Sequence, residues 1–99
     1  MARFDIYRLR TGEMLVVDLQ ADLLDALDTR VVAPLLRAEA FSKPITRLNP
    51  VIELDGGSYV LAVHLMGTIS VKEIAETLGS LGARYDDVTA ATDFLFSGF

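Results

Sequence analysis

The sequence predicts a mostly-β domain that ends in one α-helix. Three observations carry that expectation. Arg3 to Leu9 alternates polar and apolar residues, the period of a half-buried strand. Asp55-Gly56-Gly57-Ser58 parts two strand-like runs with the glycines that a tight hairpin requires. Near the C-terminus Val88, Ala91 and Leu95 recur at helical spacing, with Ala90 and Phe94 beside them.

The elements follow in order. After the strand Arg3–Leu9, Thr11-Gly12-Glu13 signals a turn and Met14–Leu19 reads as a second strand, so the two should form a hairpin. Ala21–Thr29 sets three leucines among acids and reads either as a short helical turn or as an irregular loop. Arg30–Leu36 is a strand. Its Pro34 lacks an N–H, which predicts an edge position or a bulge. Arg37–Asn49 is a connection containing Pro44. Pro50–Leu54 and Tyr59–Leu65 flank the Asp-Gly-Gly-Ser turn as paired strands. Ile69–Leu81 is ambiguous. Ser70-Val71-Lys72-Glu73 fits a capping box and favours a short helix, whereas the alternation Thr68–Val71 favours a strand. In the last segment Asp86 and Asp87 stand where a helix begins, favourable for its dipole, and Gly98 stands where one ends. The count is five or six strands followed by one helix.

The 99 residues are the size of one domain, with no repeat and no Gly/Ser/Pro-rich linker to divide them, so residues 1–99 are read as a single unit. With 52% hydrophobic residues the core material is ample, but a chain this short buries only about 60–70% of its unfolded surface, a reason to expect pairing with a second copy. There is no cysteine, which removes disulfides, thiolate metal sites and cysteine nucleophiles. No apolar run approaches the roughly 18–20 residues of a membrane-spanning helix, and the start of the chain lacks the pattern of a signal peptide, so a cytoplasmic protein away from membranes is expected. Nine basic residues are scattered and outnumbered by fourteen acids, for a net charge of −5. That balance disfavours direct nucleic-acid binding and suits a protein partner with basic residues.

No residue pattern demands catalysis, a metal or a cofactor. His64 is the single histidine, lies in an apolar strand-like run without metal-ligand spacing, and is read as structural. Ser42, Ser58, Ser70, Ser80 and Ser97 all lack a nucleophile-elbow setting and are more simply turn or capping residues. Asp22/Asp25 and Asp86/Asp87 are explained as solvated loop and helix-start acids. The chain end is different. Phe94-Leu95-Phe96-Ser97-Gly98-Phe99 places aromatics where termini are usually polar, and an exposed aromatic there is a plausible anchor for a partner's pocket.

The chain resembles the CcdB toxins. Val17-Asp18-Leu19-Gln20-Ala21-Asp22-Leu23-Leu24-Asp25 is similar to their V-D-V-Q-S-D-I-I-D stretch, and Arg30-Val31-Val32-Ala33-Pro34-Leu35 to their R-x-V-I-P-L strand. Asn49-Pro50-Val51-Ile52 resembles their Y-P-V-V, and Phe96-Ser97-Gly98-Phe99 matches F-W-G-I at two of four positions. Order and spacing hold over essentially the whole chain. The resemblance implies an SH3-like antiparallel β-barrel, shared with ribonuclease toxins of the MazF/Kid type, with a C-terminal α-helix, and it implies that Ile69–Val71 continues a strand. It implies a homodimer that brings C-terminal helices together and works by binding rather than by catalysis. The partners it implies are the DNA gyrase A subunit, trapped on cleaved DNA, and a CcdA-like antitoxin with a disordered segment. Loops Arg10–Met14 and Ala40–Pro44 are antitoxin candidates by the same analogy.

Carried over residue by residue, the gyrase-binding positions are Leu23, Leu24, Asp93, Phe96, Ser97, Gly98 and Phe99. Phe96 and Gly98 are retained, Leu23, Leu24 and Phe99 keep large apolar side chains, and two positions change in chemical character. Ser97 stands in place of tryptophan, and Asp93 in place of a neutral amide. An indole buries on the order of 200 Å², and serine does not fill that space. Either Phe96 and Phe99 replace the anchor, or gyrase binding is weaker or redirected. Two rivals follow: an endoribonuclease on the same barrel, disfavoured by the acidic charge balance, and a homologue that binds antitoxin and poisons nothing.

Overall fold

A computed structural model describes residues 1–98. Seven strands form one antiparallel sheet: β1 (Asp5–Leu9), β2 (Leu15–Asp18), β3 (Thr29–Arg37), β4 (Val51–Leu54), β5 (Gly57–Leu61), β6 (Gly67–Ser70) and β7 (Ile74–Ser80). Helix α1 (Tyr85–Ser97) follows. The order is β4-β5-β3-β2-β1-β7, and β6 pairs with the first half of β3. This is a half-barrel with β4 and β7 at its ends, closed on one side by the helix, as the patterning predicted.

Alternation along the strands sorts side chains to two faces. Ile6, Val17, Ala33 and Leu35 join Ile52, Leu61 and Val63 in the main core, against which the helix lays Val88 and Ala91. Tyr7, Val16 and Val32 point to the opposite face with Leu9, and Ile69 and Ile74 pack on them. Asp18 and Arg30 lie on the same two strands and are both wholly buried. Arg30 Nε donates to Asp18 Oδ2 at 2.8 Å, and the Tyr7 hydroxyl donates to the same oxygen at 2.5 Å. Burial, and then the Asp18 carboxylate it touches, push the Tyr7 phenol far above its ordinary range.

Two hairpins form as expected. β1 and β2 pair Ile6 with Val17. β4 and β5 are joined by Asp55 and Gly56, whose φ angles of 50° and 80° make the two-residue turn whose twist matches the strands. The helix begins one residue before Asp86 and Asp87 and stops at Gly98, whose φ of 81° is the left-handed closure that glycine permits without strain.

Three expectations are corrected. Pro34 is neither at an edge nor at a bulge, because β3 is central and pairs Pro34 with Val16. The carbonyl of Pro34 accepts from Ala62 N, so its nitrogen faces the same side, where β3 passes from β6 to β5; the missing donor costs no ladder bond. The run Tyr59–Leu65 stops as a strand at Leu61, and His64 stands exposed in a 3₁₀ turn. Its Nδ1 lies 3.3 Å from Asn49 Nδ2, and its ring meets Phe41 edge-on. Finally, Ile69–Leu81 resolves both rival readings at once. β6 runs to Ser70, a capping box on Ser70 and Glu73 forms one 3₁₀ turn, and the unforeseen strand β7 follows.

The buried trio sets a stability prediction. Arg30→Met leaves the Asp18 carboxylate buried without its cation and should cost about 3–5 kcal/mol in urea unfolding. The Tyr7 phenol stays protonated in the fold above pH ~10, where the unfolded chain's phenol has ionised. The unfolded state then binds fewer protons, and stability falls as pH rises past that point. Removing this one phenol in Tyr7→Phe should lower the alkaline slope by up to about 1.4 kcal/mol per pH unit.

Candidate functional site

The segment between β2 and β3 leaves the sheet immediately after Asp18. Residues 21–29 are all exposed, a single 3₁₀ turn (Asp22–Leu24) being their regular structure. Asp22, Asp25 and Asp28 recur every third residue, so a continuous helix would stack like charges on one face, and the absence of polar–apolar alternation leaves no strand pattern. The loop nevertheless has a defined course. Leu24 N bonds Ala21 O at 2.9 Å, Asp25 N bonds Asp22 O at 3.1 Å, and Arg3 N donates to Asp22 Oδ1 at 2.7 Å. Where it rejoins the sheet, Val71 N bonds Asp28 O at 2.9 Å.

This course presents three leucines to solvent. Leu23 is 92% exposed, Leu24 47% and Leu27 51%. Large apolar side chains grouped outside a core mark an interaction surface. The C-terminal half of α1 lies alongside. Thr92 and Phe96, one helical turn apart, line the same open hollow of about 510 Å³ as Leu24, Leu27 and Met66, and Phe96 is 72% exposed. Most of the hollow's walls are apolar. Acids stand near it in sequence: Asp22, Asp25 and Asp28 on the loop and Asp93 on the helix. Arg3 is the one charged residue in the hollow's lining. An apolar floor suits a partner that offers an aromatic or aliphatic anchor, and the exposed acids of the adjoining loop and helix suit basic residues elsewhere on that partner.

The sequence-derived site residues fare as follows. Leu24 and Phe96 line the same hollow. Leu23 lies on the same loop, projecting farther into solvent. Asp93 and Ser97 are exposed one turn apart on the helix and do not line the hollow; Gly98 closes the helix. Phe99 lies outside the described residues. Sequence reasoning missed Leu27, Met66 and Thr92. Leu27 carried a signal, being three residues beyond Leu24 on a turn-forming segment, and Thr92 is one helical turn before Phe96. Met66 carried none, because its place depends on the pairing of β6 with β3.

Two polar groupings could be mistaken for catalytic centres. The Tyr7–Asp18–Arg30 trio is sealed from solvent. His64 is exposed, and its ring nitrogen meets an amide, not a carboxylate. The serines at 58, 70 and 80 serve Glu53, the capping box and the Gly82 amide, as turn residues do. Among the described residues no group of three or more His, Asp or Glu is placed to hold a metal, and no helix is long and apolar enough to cross a membrane.

The model of the CcdB protein family matches residues 3–98. The chain belongs to the CcdB family. Its fold, a mostly antiparallel half-barrel with a C-terminal helix, is consistent with that family, and CcdB-family toxins act in toxin–antitoxin pairs without being enzymes themselves. The fold is also similar to a solved structure described as an endoribonuclease in complex with its cognate antitoxin from mycobacterial species. The TM-score is 0.75 at 12% identity, over 94% of this chain and 91% of that one, a likeness of fold alone.

The geometry separates stability from surface. Phe96→Ala, at an exposed position, should shift the thermal midpoint by no more than about 2 °C. Val88→Ala, in the wholly buried face of the same helix, should cost about 2 kcal/mol, seen as a lower urea midpoint at unchanged slope.

Proposed function

We propose that this protein is a CcdB-type toxin that acts by binding: it engages the DNA gyrase A subunit and holds gyrase on cleaved DNA, and a cognate CcdA-like antitoxin relieves it. The observation that carries the reading is that Leu24 and Phe96 line one open, mostly apolar hollow. These are two of the positions that the family likeness assigns to gyrase contact, and they come from segments about 70 residues apart in sequence. The working form is a homodimer, which presents two such surfaces and two C-termini to the two-fold gyrase A dimer.

The mechanism is a shift of population. A ligand that binds the cleaved state of gyrase better than the resealed state moves the equilibrium towards cleavage, and by no more than that difference in affinity. Phe96 supplies the aromatic contact that Ser97 does not. Its exposure leaves the ring free to enter a partner's pocket without unfolding anything. The acidic charge balance of the chain favours a basic rim on the partner and, by the same rule, a basic disordered segment of an antitoxin.

The endoribonuclease reading has one observation in its favour, the shared fold with the mycobacterial enzyme. Against it, RNA cleavage requires an accessible acid–base pair and a basic track. The best-connected carboxylate–arginine pair here is sealed, and the charge balance is acidic.

The test is incubation of the purified protein with gyrase, supercoiled plasmid and ATP, followed by detergent and protease. Linear DNA is the expected product. Phe96→Ala should raise the half-maximal concentration by roughly 30-fold or more, the loss of one aromatic anchor. Phe99→Ala reads the contribution of the last residue in the same assay. No linear DNA from folded wild-type protein in large excess would overturn the gyrase assignment. Growth arrest without antitoxin would then point to another target, and unimpaired growth to a homologue that binds only antitoxin.

A further inference from the structure

The loop that carries Leu23, Leu24 and Leu27 is exposed along its whole length, yet one side chain ties it to the buried polar centre. Gln20 is itself buried, at 7% exposure. Its backbone N–H donates to Asp18 Oδ1 at 2.9 Å, the carboxylate oxygen that Tyr7 and Arg30 leave free. Its side-chain amide then makes two bonds in opposite directions. Nε2 donates to Leu24 O at 2.9 Å, and Oε1 accepts from Val31 N at 3.1 Å. The first bond holds the carbonyl of the very residue that faces the hollow. The second holds the point where β3 begins again after the loop. Gln20 is therefore a strut across the base of the loop, fixed at its own root by Asp18.

We propose that Gln20 is a positioning residue for the docking surface: its carboxamide holds the Leu23–Leu27 segment in the course that sets Leu24 on the hollow it shares with Phe96. The inference rests on the reading of that hollow as a binding site. A primary amide is suited to the task. It offers a donor nitrogen and an acceptor oxygen on one planar group, and here each atom has a backbone partner of the matching kind. Glutamate at this position keeps the acceptor for Val31 N and has no donor for Leu24 O, so its charge would face a carbonyl. Alanine loses both bonds. The two variants should therefore fail differently.

The experiment is residue-resolved amide exchange by NMR on the full chain, wild type against Gln20→Ala and Gln20→Glu. In Gln20→Ala, exchange at Leu24, Asp25, Leu27 and Val31 should rise by roughly tenfold, the effect of losing two ordinary hydrogen bonds from a local opening. In Gln20→Glu, the loop amides should rise and Val31 should stay protected. The amides of Leu61 and Ala62, bonded elsewhere in the sheet, should keep their wild-type rates in both. Unchanged loop exchange in Gln20→Ala would overturn the proposal, as would an equal rise at Leu61 and Ala62, which would mean general loss of stability. The gyrase titration supplies the second arm. There Gln20→Ala should need about ten times more protein for half-maximal linear DNA while reaching the same plateau. Loosened loop amides with unaltered titration would also overturn it. Wild-type protein that yields no linear DNA would sink the gyrase assignment alone, and the exchange data would still decide whether Gln20 holds the loop.

Discussion

Asp18 is a carboxylate that no solvent reaches, on a strand in the middle of a small sheet. Removing such a charge from water costs several kcal/mol even after relaxation, and the cost is tolerable only when both oxygens are occupied by good donors. Here they are. One oxygen takes Arg30 and the Tyr7 hydroxyl, the other takes the Gln20 backbone. The donors come from β1, from β3 and from the residues just beyond β2, so satisfying one carboxylate fixes three adjacent strands and the exit of the following loop. Replacing the trio with well-packed apolar residues could give a sheet of similar stability. It would not give the same loop, because an apolar side chain has nothing to offer the Gln20 amide.

The docking surface follows from that constraint. An exposed segment with three unpaired leucines is a liability in a free protein unless its backbone is held, since loosely held apolar loops associate without discrimination. The holding is done from below by Gln20 and from the side by Asp22, whose carboxylate accepts from Arg3 N. On the other flank, α1 is anchored by Val88 and Ala91, leaving its last turn free to present Phe96. Core and surface thus use different residues of the same elements. Anchor positions can change without unfolding the domain, which fits a surface tuned to a particular partner.

Much of this was legible in the sequence, and the reasons differ by element. The β4–β5 hairpin was legible because Asp55-Gly56 writes its own turn type. The helix was legible because the periodic apolar positions, the two acids and Gly98 all agreed. β7 was not, because an edge strand with most of its side chains exposed has no burial pattern to betray it. Pro34 misled because its rule concerns lost ladder bonds, and the switch of partners from β6 to β5 leaves none to lose. At the site, Leu24 and Phe96 were reached by family likeness. Gln20 was quoted there only as part of a motif: its role is a pair of bonds to backbone atoms four and eleven residues away, which no spacing rule announces. Met66 belongs to the hollow through the pairing of β6 with β3, a long-range fact that local sequence does not carry.

The half-barrel is shared with an endoribonuclease at 12% identity, so the fold alone does not choose between cutting RNA and gripping a protein. The distribution of polarity favours the binding reading proposed above. A nuclease must bring charged groups to the surface of a basic cleft, where substrate and water reach them. This chain does the reverse. Its most elaborate polar network is sealed, and what it exposes at the hollow is leucine and phenylalanine. Where the family pattern has tryptophan the chain has Ser97, yet the neighbouring ring of Phe96 is offered with nearly three quarters of its surface bare. A phenyl ring buries less area than an indole and carries no N–H. A surface anchored by it should grip more weakly and depend less on a polar acceptor in the partner's pocket.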